Sequence, residues 1–164
     1  MKTFFFYLIT LWGLLWLQLA QTHWMGGSGL AIHMALIATL YFGLARGALA
    51  GVLLGAVWGL FLDAAVMGPL GLQAFLLAAI GYMAGIGRRQ LDETKIWTQF
   101  FLTVVMTLLY TLLYVGLSRL FMADPRPFVW RLFLQPFVNA VAAPVLFWFL
   151  GWWTELWAIF PLEH

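Results

Sequence analysis

Six apolar runs joined by short connections constrain this chain more than any other feature. A helix that crosses a bilayer needs roughly 20 apolar residues, within a range of about 17 to 25. Runs of about that length lie at Thr3–Ala20, Gly29–Ala45, Gly47–Ala65, Leu70–Gly87, Lys95–Phe121 and Leu132–Phe160. The predicted fold class is therefore all-α: a polytopic integral membrane protein with six transmembrane helices. Five is the alternative, because only Arg46 and Gly47 separate the second and third runs. Six is preferred, since an arginine is expensive at the bilayer centre and natural at an interface. The chain is 65% hydrophobic and 9% charged, against about 25% charged in soluble domains. A water-soluble core of this size cannot hide so much apolar surface. The polar connections are too short for a soluble domain, so residues 1–164 are read as a single transmembrane domain.

The first run follows Lys2, as a signal peptide would. Its "LQLAQ" end places Gln18 where a cleavage site prefers a small residue, which favours a retained helix. Orientation follows from the short-loop cations. With the N-terminus inside, Lys2, Arg46, Arg88, Arg89 and Lys95 fall on the inner side, and Arg119, Arg126 and Arg131 on the outer. The balance predicts both termini in the cytoplasm. Trp130, Trp152, Trp153 and Trp157 suit interfacial belts.

Within the third run, Gly47, Gly51, Gly55 and Gly59 recur every four residues, continuing from Gly43, and Asp63 takes the next place. Each glycine weakens an isolated helix by about 1 kcal/mol relative to alanine. In lipid, close backbone packing offsets that loss. The row is read as a helix-packing motif, with Gly81 and Gly85 of the fourth run as its partner. Four residues advance about 400°, so the row drifts by about 40° per step and favours a crossed pair. Asp63 lies about 25 Å along the helix from Arg46, near the outer interface. Beside it, Gly68, Pro69 and Gly71 form a turn, with Pro69 suited to start the next helix. Asp63 is expected to lock that turn by meeting the unpaired N–H groups of the fourth helix; contact with a ligand or partner is the other reading.

The fifth run carries Thr103, Thr107 and Thr111 at the same spacing, after Gln99, and the sixth carries Gln135 and Asn139 between Pro136 and Pro144. These residues form a polar inner face. A hydroxyl row of this kind either lines a small cavity, pairs across helices, or bonds back to the preceding turn. The two prolines are expected to interrupt and bend the sixth helix. His33 stands alone, without a strong ligand at i+3 or i+4, and is read as a buried hydrogen-bonding group rather than a metal ligand. There are no cysteines, and no serine–histidine–carboxylate set, paired intramembrane acids or phosphate loop is present. No enzyme activity, cofactor or metal is expected, and a net charge of +2 is too small to point to nucleic acid.

The stretch "LYFGLARGALAGVLLGAVWGLFLDAAVMGPLGLQAFLLAAIGYMAGIGRR", Leu40 to Arg89, resembles the MreD family of bacterial rod shape-determining membrane proteins. The resemblance rests on the glycine row into Asp63, the Gly68-Pro69-Leu70-Gly71 turn, Gly81-Tyr82 and Gly85. The "QPFVNAVAAPVLF" stretch, Gln135 to Phe147, agrees with it. The resemblance implies a non-enzymatic scaffold of the cell-elongation complex in the inner membrane. Its partner would be MreC, and through it MreB, RodA and a class B penicillin-binding protein. The family's fold is similar to the substrate-binding component of energy-coupling-factor vitamin transporters, which makes a vitamin-like ligand-binding subunit the rival reading. For a scaffold, helix faces and loops must carry binding. Phe4 and Phe5 on the glycine-poor first helix, and Arg126, Phe128 and Trp130 in the outward loop, are the expected contacts, because aromatic anchors dominate many interfaces. Membrane lipid is the remaining partner.

Overall fold

A computed structural model describes residues 2–24, 32–66, 70–91, 94–121 and 129–158. They form six helices: α1 (Lys2–Trp24), α2 (Met34–Arg46), α3 (Ala48–Val66), α4 (Leu72–Gly87), α5 (Ile96–Phe121) and α6 (Val129–Ala158). There is no strand among the described residues. Three helices hold stretches long and apolar enough to cross a membrane: Ala48–Ala65, Ile96–Ser118 and Phe133–Leu156. α2 and α4 are apolar but shorter, at 13 and 16 residues, or about 20 and 24 Å.

The short α2 is the centre of the bundle. Every residue from Ala35 to Leu44 is buried. α3, α4 and α6 surround it, with α1 and α5 touching it more lightly. Phe42 meets Trp58 of α3 at 6.2 Å, and Tyr41 meets Phe147 of α6 edge-on at 5.4 Å. An apolar sequence with no polar stripe is what a helix enclosed on all sides requires.

A single residue, Gly47, separates α2 from α3. Its φ of +97° ends α2, and its N–H still bonds the carbonyl of Gly43 at 2.9 Å. That conformation is open to glycine and strained for other residues. The arrangement decides between one kinked helix and two: α2 and α3 are separate. Elsewhere the structure departs from the sequence reading. α2 starts at Met34 rather than Gly29, and α6 is one continuous helix through Pro136 and Pro144. The prolines therefore do not interrupt it. Each removes one backbone donor, and the flanking turns of a 30-residue helix hold the geometry.

α3 and α4 lie antiparallel in close contact. A Cβ on Gly51 would strike the backbone of Gly81. One on Gly55 would strike Leu77 and Ala78, one on Gly59 Gln73 and Ala74, and one on Gly85 Ala48. Each four-residue step along α3 is answered by a step of about four along α4. The close approach runs from Gly85 on Ala48 to Gly59 on Gln73 and Ala74. Gly43 of α2 abuts the same helix, where its Cβ would stand 2.8 Å from the carbonyl oxygen of Gly81. The four-residue interval thus serves two helices packed on α4, and Gly47 is the turn between them.

The described part of α1 presents one face to the bundle. Thr10, Leu14, Leu15 and Gln18 are buried, while Trp12, Trp16 and Leu17 are exposed. A Cβ on Gly13 would meet nothing within 4 Å. Polar contacts tie it down: Trp153 Nε1 donates to Thr10 Oγ1 at 2.9 Å, and Gln18 Oε1 accepts from the Met34 amide at 2.7 Å.

Candidate functional site

The short helices create a problem that the polar residues solve. The first N–H groups of any helix lack partners within it. Where those groups are buried no water supplies them, so side chains must. α2 and α4 both begin at the same end of the bundle, and both beginnings are met by side chains from other helices.

At α4, Asp63 is 1% exposed. Its Oδ2 accepts from the amides of Gly71 at 2.9 Å, Gln73 at 3.2 Å and Ala74 at 3.3 Å, and its Oδ1 from Gln73 at 3.1 Å. A carboxylate at a helix N-terminus also sits favourably in the helix dipole. Gly71 turns the chain into α4 in a left-handed conformation, φ +95°. Gly68 and Pro69 lie outside the described residues.

At α2, Asn139 of α6 accepts from the His33 amide at 2.9 Å through Oδ1, and Gln18 caps Met34. Asn139 is fully buried. Its Nδ2 donates to Thr107 Oγ1 at 3.2 Å, and its Oδ1 also receives Gln135 Nε2 at 3.4 Å. Thr111 donates back to the Thr107 carbonyl at 2.6 Å. The Thr103 hydroxyl is fully buried and finds no hydrogen-bond acceptor among the described residues. The threonine row thus faces inward and both pairs across helices and bonds along its own.

The two caps are joined. Tyr110 donates from its hydroxyl to Gln73 Oε1 at 3.2 Å, and its ring meets that of His33 edge-on with centroids 4.8 Å apart. A buried polar chain therefore runs Asp63, Gln73, Tyr110, His33, Asn139, Thr107 and touches α2 through α6. The imidazole was expected to hydrogen-bond, but its Nδ1 makes no such bond among the described residues; the polar contact at this position comes from the His33 backbone. Gln18, Gln73 and Tyr110 were not among the expected site residues. Their polarity inside apolar runs was the available signal.

Of the expected partner contacts, Phe4 and Phe5 lie in α1 and Trp130 in the first turn of α6, with side chains outside what is described. Arg126 and Phe128 lie outside the described residues. No group of three or more metal-ligating side chains occurs among the described residues.

The glycine seam ending on a carboxylate that caps the next helix is thus one built unit, spanning the stretch that carries the family resemblance. The chain matches the family model for rod shape-determining protein MreD over residues 1–153. It belongs to the MreD family. That family is a shape-determining, structural one, so the chain is a membrane protein with a role in determining rod shape. No curated protein and no solved structure matches the chain.

Proposed function

We propose that this MreD-family chain is a non-enzymatic scaffold of the cell-elongation complex that binds and positions MreC and so supports peptidoglycan synthesis. In this reading it crosses the bacterial inner membrane six times, with both termini in the cytoplasm. MreB, RodA and a class B penicillin-binding protein are reached through MreC. The observation that carries the reading is where the polar groups go: Asp63, Gln73, Asn139, Thr107 and Gln18 bond other parts of the bundle. The outward surface left for a partner is mainly apolar helix face.

Two spans of the proposal, α2 and α4, are shorter than the roughly 30 Å hydrocarbon layer. Side-chain capping of their first amides supports them as spans, because it makes a helix start below the interface tolerable. The fold similarity to the substrate-binding component of energy-coupling-factor transporters belongs to the same proposal, and a six-helix bundle with α2 at its centre supports it. The vitamin-binding reading draws less support, since Asn139, Tyr110 and Gln73 already hold protein partners.

The test is co-purification from membranes. The unaltered chain is expected to retain MreC. A triple Arg126→Ala, Phe128→Ala, Trp130→Ala variant is expected to lose most of it while keeping its fold. Full recovery from that variant removes the loop from the interface. Retention of a vitamin and no MreC by the unaltered chain overturns the scaffold.

A further inference from the structure

The end of the bundle opposite the polar chain is cationic. There α2 ends at Arg46, α3 begins at Ala48, α4 ends at Gly87 and α5 begins at Ile96. Arg46, Arg88, Arg89 and Lys95 are all exposed at this end. The two connections are drawn together by the glycine seam, because Gly85 packs on Ala48. Arg88 consequently reaches across from the α4–α5 connection to the α2–α3 turn. Its Nη1 lies 3.7 Å from where a Cβ on Gly47, the residue after Arg46 in the chain, would stand. Among the described residues, Arg46, Arg88 and Arg89 make no ion pair; Asp92 and Glu93 lie outside them.

Just inside this end, α3 exposes Leu49 and Leu53, one turn apart on the face turned away from the seam. Guanidinium groups at the level of the helix ends, with apolar side chains immediately below, match a molecule whose phosphate sits at the membrane surface and whose chains run into it. A soluble acidic protein would use the charges and leave the aliphatic bed unexplained. We propose that the Arg46–Arg88–Arg89 cluster is a binding site for an anionic phospholipid, the headgroup phosphate on the guanidiniums and an acyl chain along Leu49 and Leu53. The site is independent of MreC binding and rests only on the chain lying in a membrane.

Native mass spectrometry of the full-length protein in detergent tests it, with phosphatidylglycerol and phosphatidylcholine as probes. Phosphatidylglycerol is expected to bind preferentially, and its binding to fall steeply with added sodium chloride. At about one surface cation's worth for each arginine, Arg46→Gln, Arg88→Gln and Arg89→Gln together weaken it on the order of 100-fold. The corresponding triple lysine variant, which keeps the charge, retains most of the binding. Millimolar inorganic phosphate leaves the lipid in place. Equal binding of the two lipids, salt-independent binding, unchanged binding by the glutamine variant, or displacement by phosphate overturns the proposal. So does loss of an acidic protein partner by the glutamine variant with lipid binding intact.

Discussion

Replacing Asp63 by alanine removes the acceptor for three backbone donors, those of Gly71, Gln73 and Ala74. The position is 1% exposed, so water does not take over. An orphaned buried donor costs about 1 to 3 kcal/mol, and three at the low end give about 3 kcal/mol. An ordinary surface N-cap loss is about 1 kcal/mol; the excess comes from burial. For a chain of this size each kcal/mol moves the melting midpoint by about 2 to 4 °C, so the alanine variant is expected to melt about 6 to 12 °C lower. Asparagine keeps one oxygen, enough for the three bonds Oδ2 makes, and places its NH2 toward the Gln73 amide. Its expected cost is about 1 to 2 kcal/mol, from the weaker acceptor and from two donors facing each other. The assay is thermal unfolding in a single detergent, followed by tryptophan fluorescence and by size-exclusion recovery. An alanine variant melting within about 2 °C of the unaltered chain, or an asparagine variant as damaged as the alanine one, would refute the reasoning.

Gly55→Leu is expected to destabilise by about 3 kcal/mol or more, the top of the overpacking range, because the obstacle is the Leu77 backbone rather than a movable side chain. Leu54→Ala, at a half-buried position, costs no more than about 2 kcal/mol; comparing melting midpoints of the two checks this, and equal values remove the seam argument. Asn139→Ala is expected to cost more than Thr107→Val, since it frees the His33 amide as well as one hydroxyl contact. A double-mutant cycle should return a coupling near the 0.6 kcal/mol average for interhelical hydrogen bonds in membranes, about that size or larger; zero coupling would mean the bond contributes nothing. Reporter fusions at Gln90 are expected to read cytoplasm and those at Asp124 periplasm; the reverse at both sites ends the N-in topology.

The parts of the fold visible in the sequence were those with local causes. The glycine interval and its Gly81–Gly85 partner follow from a rule about neighbouring helices in lipid, and α3 and α4 are such neighbours. Asp63 was legible for the same reason, eight residues from Gly71. The cap on α2 was not, because Asn139 stands 106 residues from His33 and nothing in either neighbourhood names the other. Gln18 illustrates the limit well. Its polarity in an apolar run argued against cleavage, but only the packing of α1 on α2 gives it the Met34 amide. The continuity of α6 through two prolines escaped because local propensity counts the lost donors and not the length of helix that holds the shape.

The cap on α2 bears on the order in which the bundle is made. Synthesis proceeds from the N-terminus, and the α3–α4 seam closes between consecutive segments, so it needs nothing that follows Gly87. The central helix is different. Its first amides are met from one side by Gln18, already synthesised, and from the other by Asn139, which emerges only with α6. Any chain stopped short of Asn139 holds a half-finished centre inside a finished seam. The enclosed α2 is therefore secured only after α6 is made, and α6 acts as the keystone that turns a set of helices into one body.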